Sequence, residues 1–592
     1  MTLRIIWLNI FIVISGQVLS QTSYRPSYPK DYFRNPMSIP IDLSANFGEL
    51  RKNHWHMGLD IRTNQKENLP VHAAAGGYIA QVGIRPQSFG RFIVINHPNG
   101  LSTLYAHLND FYPALEEYVT AKQYEQESWA VELRFQPGQF PVSRGEFIAF
   151  SGNTGGSQGP HLHFEIMDTK SEKRLNPLLF NLGVKDNVPP TVVKLALYDR
   201  SRSVHTQSPI LFNLKNTDSG YVVVRPAITE LPFRRVSFAI QATDRLSGST
   251  NPNGIFSAKL YVDEELQSGF IIDSIDYNET LYMNAHIDYS YKENGGVYLQ
   301  QLSRMPGDKG SAYHNYKNDG VIELSDTSIH DVSIDVRDAH GNSSVVLFRM
   351  RYNDSLAARE QGREPRESIV PGKNYELDRL DFHVSIPEGS VYDDVPVHYF
   401  RTRGTQSNAV SDIHQLNDHS FPLHKDITVS IRPDRNIPEE WKDKLILQRT
   451  GKGSTVRHVR LENGWVKGNF DEFGKFQLLV DLIAPQLNEP GRGDTVNLSS
   501  STRIMFTPSD NFGIVKKFRA ELDGKWLRFT NDKSRNWIYR FDDRWSYGIH
   551  ELKVTVEDHA GNITSKSWWI RREPYTPPPP KKKSVKKKKK GK

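Results

Sequence analysis

Short apolar runs that alternate with polar residues, cut by Gly, Pro and Asn, recur along the whole chain. Gly77-Tyr78-Ile79-Ala80-Gln81-Val82 and Arg91-Phe92-Ile93-Val94-Ile95 are two of them. Period-two alternation between turn residues predicts strands of an antiparallel sheet. One stretch departs from this. Between Pro113 and Glu127, Leu115, Tyr118 and Val119 fall at helical spacing with charged residues between them, which predicts a helix. Past Pro189-Pro190 the chain is almost entirely short strands between turn clusters, the pattern of β-sandwich modules. The expected fold class is mainly β, and 592 residues leave room for roughly four domains. The boundaries read as follows: an antiparallel β unit over 31–187 with a helical insertion near 112–136; immunoglobulin-like sandwich material over 190–353; a β-rich module over 368–483; a second immunoglobulin-like sandwich over 484–572; and a Pro/Lys-rich tail over 573–592.

Two of the later segments read as copies. One closes on Asp338-Ala339-His340-Gly341-Asn342 and carries Asp244 upstream; the other closes on Asp558-His559-Ala560-Gly561-Asn562 and carries Asp510 upstream. An Asp-x-x-Gly-Asn turn rich in acids admits a calcium site. A tight turn between strands is the simpler reading.

The termini change the picture of charge and compartment. Arg4 followed by the apolar run Ile5 to Ile14 resembles a secretory signal over residues 1–20, with a cut before Gln21. An uncleaved anchor is the other reading. The chain has no cysteine, which excludes disulfides, thiol catalysis and cysteine-ligated zinc. An exported, multidomain, cysteine-free chain fits a bacterial periplasm, envelope or extracellular space. The formal charge is +7, but nine lysines lie between Lys581 and Lys592. Taking those nine from the 75 basic residues leaves 66 against 68 acidic ones, so the body is near neutral. That argues against specific nucleic-acid binding by the globular part. The tail is expected to be disordered. Its charge suits an anionic surface, and a solvated tail with no specific partner fits it equally.

Histidine carries the candidate chemistry. His161-Leu162-His163 lies in an alternating run, so both imidazoles point to one face while Leu162 and Phe164 point to the other. His56 and Asp60 are four apart with Gly58 between them, and on an extended segment they too share a face. Two histidines and one carboxylate leave a fourth tetrahedral position open, as in a catalytic rather than a structural zinc site. The donor types alone leave other divalent metals open.

These motifs, in this order, resemble the lysostaphin-type, LytM-like zinc metallopeptidases of bacterial cell walls. The resemblance runs from about Phe47 to Met167. It rests on His56-Met57-Gly58-Leu59-Asp60-Ile61, on Tyr105-Ala106-His107-Leu108, and on Gly152-Asn153-Thr154-Gly155 followed by Gly159-Pro160-His161-Leu162-His163-Phe164. It implies a lysostaphin/LytM-like antiparallel β catalytic domain binding one zinc ion through His56, Asp60 and His163. His161 would be the general base for the attacking water, and His107 would stabilise charge on the tetrahedral intermediate. His54 competes with His56 as first ligand; the family places Gly two residues after the ligand, and Gly58 selects His56. The chain departs from the family pattern at about Tyr112 to Gln136, an insertion expected to border or cover the substrate groove.

The implied function is an exported zinc endopeptidase acting on peptidoglycan stem peptides or cross-links. Two other readings stay open. One is a non-catalytic activator of other wall hydrolases. The other is a surface adhesion or scaffold protein built on the β modules.

Overall fold

The structure, a computed structural model, describes residues 28–313, 317–357, 367–513, 515–533 and 535–576. The expected secretory signal and the lysine tail lie outside these. The fold is mainly β, with 45% of residues in strands and 9% in helices. Among the described residues no helix is long and apolar enough to cross a membrane.

The first unit is built on a sheet whose central strands run antiparallel in the spatial order Leu43–Ala45, Leu59–Arg62, His161–Asp168, Leu101–Phe111, Gly90–Asn96, Gly77–Arg85. One face of this sheet buries Leu59, Ile61, Tyr105, Leu162 and Phe164 in a single apolar core. Alternation therefore leaves Asp60, His161 and His163 to the opposite face.

That core is not sealed at the Pro189-Pro190 boundary. Phe47, Trp55 and Met57 leave the first unit and enter the core of the second, beside Phe238, Leu260 and Phe270. The backbone joins them as well: Arg174–Leu175 pairs with Ser274–Ile275. The Asn46 side chain donates to the Gly254 carbonyl at 2.8 Å and accepts from the Gly254 amide at 2.9 Å. The third unit stacks a four-stranded on a five-stranded sheet around Phe382, Phe470 and Phe476. It inserts Tyr392 into a side cluster of the second unit. The fourth is centred on Trp545, Phe506 and Val554.

The predicted helix forms at Pro113–Glu125. Pro113 supplies a preset φ at the first turn, where its missing N–H costs no hydrogen bond. Leu115 and Val119 are buried in the first unit's core. The outer side of the insertion carries the fourth unit. Arg528 donates to Thr120 Oγ1 at 3.0 Å and to Gln123 Oε1 at 2.7 Å. Arg519 pairs with Glu127 at 2.7 Å, and the Tyr124 ring meets Trp526 edge-on at 5.2 Å. The chain thus returns to its first unit, and the four cores close a ring.

Hydrogen bonds from a charged group are worth about 1.5–3 kcal/mol each. Arg528→Ala should therefore loosen this docking. Hydrogen–deuterium exchange over Pro113–Glu125 should rise several-fold while exchange in the His161–Asp168 strand stays unchanged. Equal exchange in both segments would mean that the contact carries no free energy.

Candidate metal centre and its groove

Strand register assembles the centre. Leu59–Arg62 and His161–Asp168 are antiparallel, with His163 directly opposite Asp60 and His161 opposite Arg62. Opposed side chains of such a pair share a face. His56 arrives from the turn before Leu59 rather than from an extended segment shared with Asp60. Gly58 permits this turn. A Cβ there would stand 2.6 Å from the Phe164 carbonyl oxygen and 2.9 Å from the His163 ring.

His56 Nε2, Asp60 Oδ1 and His163 Nδ1 lie 2.9–3.0 Å from one another, and all three residues are buried. Three donors held at about 2.1 Å around one tetrahedral ion are about 3.4 Å apart, so the triangle need open only slightly to take a metal. The remaining polar atom of each donor is engaged. His56 Nδ1 donates to the Asn46 carbonyl at 2.7 Å, and His163 Nε2 donates to Glu165 Oε1 at 2.9 Å. Asp60 Oδ2 accepts from Arg51 at 2.9 Å. These partners fix the tautomers and leave each lone pair directed into the triangle. The residues present fit a metal with two nitrogen donors and one oxygen donor.

The charges follow from the same contacts. Burial disfavours a charged His163, but hydrogen bonds to Asp60 and Glu165 outweigh it and lift the group to about 9. His56 has a carbonyl behind it in place of a second carboxylate, and burial pushes it down. Burial raises Asp60, yet its histidine neighbours, His56 first and His163 with it, hold it well below the usual carboxylate range.

His161 and His107 stand beside the triangle without joining it. His161 Nδ1 lies 2.8 Å from the Gly159 carbonyl and 3.1 Å from Ser157 Oγ. Its proton therefore sits on Nδ1. Nε2 is a buried lone pair with no hydrogen-bond partner, 3.4 Å from Asp60 Oδ1. His107 reaches the same space through a β-bulge. Ala106 and His107 together oppose the single residue Phe92, and His107 has a φ of 59°. Regular alternation would place Ala106 on the metal face and His107 in the core. The left-handed conformation turns His107 back to the metal face while Ala106 stays opposite His163, a common use of bulges next to functional sites. Its Nδ1 donates to the Thr154 carbonyl at 2.8 Å. Burial, then the charges of His161 and His163, push the group down to about 3. His54 sits exposed on the rim, held by the Lys52 carbonyl at 2.8 Å, and is not part of the triangle.

Three residues behind the triangle were given no role in the sequence reading: Arg51, Glu165 and Arg174. Glu165 Oε2 accepts from Arg174 Nε at 3.1 Å, and the Arg174 guanidinium lies 5.2 Å over Tyr277 of the second unit. Glu165 had a signal, a carboxylate two residues beyond His163 on the same strand face. Nothing local marks the two arginines.

The centre lies in a groove of about 1270 Å³. The loop Gly156 to Pro160 forms one wall, and Tyr277 and Thr280 of the second unit stand in another. No residue of 112–136 lines it. The insertion therefore does not border the groove as expected, because its free side is taken by the fourth unit. That unit instead braces the groove wall from behind: Lys533 donates to the Ser157 carbonyl and to Asn153 Oδ1 at 3.3 Å, within the loop that leads to His161.

Residues 54–124 match Peptidase family M23, and residues 369–481 match the Zu5-like domain. The DD-carboxypeptidase/endopeptidase Mpg of Neisseria meningitidis is 37% identical over 110 residues, 19% of each chain. The peptidoglycan DD-endopeptidase ShyA of Vibrio cholerae is 29% identical over 169 residues, 28% of this chain and 33% of that one. The crystallised catalytic domain of lysostaphin from Staphylococcus simulans is 23% identical, covering 23% of this chain and 90% of its own, with a TM-score of 0.18. The first unit is thus the part of the chain that carries the M23, LytM-like peptidase match. The matched stretch spans only about a fifth to a third of these curated relatives.

Asp60→Ala and His163→Ala should each abolish the one transition-metal ion held at this centre, as counted by elemental analysis. His161→Ala should keep it. Metal affinity should also depend on pH with a defined sign. His163 without metal keeps its second proton up to about pH 9, and a metal must displace that proton. Apparent affinity should fall about tenfold for each unit of pH below 9 from this group alone. Competition with a chromophoric chelator at three pH values measures this, and a flat profile would contradict it.

Proposed function

We propose that the chain is an exported, zinc-dependent endopeptidase that hydrolyses peptide bonds in the stem peptides or cross-links of peptidoglycan. The observation that carries the reading is the convergence of three aligned donor atoms with two imidazoles, each held by its Nδ1 on a backbone carbonyl, in one groove. The M23 match and relatives named as DD-endopeptidases support the substrate class. The apolar run Ile5 to Ile14 after Arg4 supports export.

A zinc ion held by His56, Asp60 and His163 supplies Lewis acidity toward a carbonyl oxygen and makes water more acidic. The chain's own residues do the rest. His161 Nε2, free of any hydrogen bond, takes the proton of the attacking water as the water oxygen bonds to the carbonyl carbon. Its Nδ1–H stays on the Gly159 carbonyl, so the ring keeps its orientation while it becomes cationic. When the C–N bond breaks, that proton passes to the leaving amine, and His161 returns to its starting form. His107 starts neutral with its only N–H on Thr154. It therefore begins as a second acceptor facing the groove, and it can donate to a developing oxyanion only after gaining a proton. The Glu165–Arg174 pair keeps the His163 ring oriented.

The test is incubation of the full chain with purified peptidoglycan, followed by muropeptide analysis. The untreated protein should release peptides; chelator should abolish release and zinc should restore it. His161→Ala and His107→Ala should each lower kcat by about 10²–10⁴ with metal content unchanged. Release that survives chelation would refute the metal mechanism. No release by untreated protein, together with stimulation of a second wall hydrolase, would favour the activator reading.

A further inference from the structure

Six buried or half-buried aspartates form two matching clusters outside the peptidase unit. Asp186, Asp244 and Asp338 make the first; Asp481, Asp510 and Asp558 make the second. In each, one carboxylate oxygen per residue lies within 4.8 Å of the others. The parts correspond. Asp186 precedes Pro190 by four residues, as Asp481 precedes Pro485. Asp338 binds the Asn342 side chain at 2.7 Å, as Asp558 binds Asn562 at 2.8 Å.

A turn explains only part of this. The turn-building acid spends its oxygens on the turn: Asp338 Oδ1 accepts from the amides of His340, Gly341 and Asn342. The other acids come from different segments and bring oxygens that the turn does not use. The Asp186 side chain is 0% exposed, yet its Oδ2 has no hydrogen-bond donor. Asp244 is 4% exposed, and its Oδ1 has none. Asp510 Oδ1 repeats the pattern in the second cluster. Among the described residues no Lys or Arg comes within ion-pair distance of any of the six; only His340 approaches, with Nδ1 3.9 Å from Asp186 Oδ2. Buried charges are paired or coordinate a metal.

We infer that each cluster binds one calcium ion. The donors are all oxygen, which selects a hard cation over zinc. Magnesium gives up its waters reluctantly, whereas calcium accepts an irregular shell of protein oxygens, as a buried site requires. The positions give the ions a task. Asp186 lies in the connector between the peptidase unit and the second unit, and Asn342 donates to its carbonyl at 3.4 Å. Asp481 lies in the connector between the third and fourth units, and Asn562 donates to its carbonyl at 3.0 Å. Calcium at both points fixes the two joints of the ring that brings Tyr277 to the groove and Lys533 to the loop behind its wall.

The test is calorimetric titration of the chelator-treated, zinc-reloaded full chain with calcium, with magnesium in a parallel arm. Two calcium ions per chain are expected, together with a higher midpoint of thermal unfolding. Asp244→Asn and Asp510→Asn should each remove one ion, and the double variant both. His163→Ala should retain both calcium ions while losing zinc. Absence of calcium binding at millimolar concentration by natively folded wild type overturns the inference. So does binding of magnesium alone, or a stoichiometry that both substitutions leave unchanged. Should a variant fail to fold, the wild-type stoichiometry still decides.

Discussion

The pairing of Leu59–Arg62 with His161–Asp168 is the constraint on which the rest of the site depends. In that register Asp60 stands opposite His163, and the two side chains meet above a sheet whose other face is buried by Leu59, Ile61, Leu162 and Phe164. A slip of Leu59–Arg62 by one residue would turn Asp60 into the core and Leu59 and Ile61 into the groove. Burial of the core face and construction of the metal centre are therefore one choice of register. The turn at Gly58 then needs only to place His56 over a pair that the sheet has already aligned.

Around that pair the structure removes freedom from each donor in turn. Asn46, Glu165 and Arg51 each occupy the far atom of a ligand. These supports also tie the centre to its surroundings. Asn46 is bonded to Gly254, and Arg174 behind Glu165 stacks on Tyr277, both in the second unit. The β modules are thus part of the groove's construction. The fourth unit, by returning to Pro113–Glu125 and to Ser157, braces the loop that forms one wall.

Much of this was legible in the sequence because it follows from local periodicity. The His161-Leu162-His163 alternation marked the strand and its polar face, and the Leu115, Val119 spacing marked the helix. His56 and Asp60 were legible as a motif, though through a turn and not a shared strand face. What stayed hidden is non-local or breaks periodicity. A bulge at His107 reverses the direction that alternation gives it, so only the family resemblance pointed there. The insertion was expected at the groove because its ends lie near active-site segments; its free side instead faces a unit some 400 residues further along the chain, a pairing no local pattern encodes.

The central claim is that His56, Asp60 and His163 hold one metal while His161 and His107 stand off it. Anomalous diffraction from zinc-loaded crystals at the zinc absorption edge tests this most directly. The account predicts a single strong peak in the peptidase unit, about 2.0–2.2 Å from His56 Nε2, Asp60 Oδ1 and His163 Nδ1, with His161 Nε2 outside bonding distance. A peak bound by His161 or His54 in place of one of those three, or no peak at this site, would contradict it.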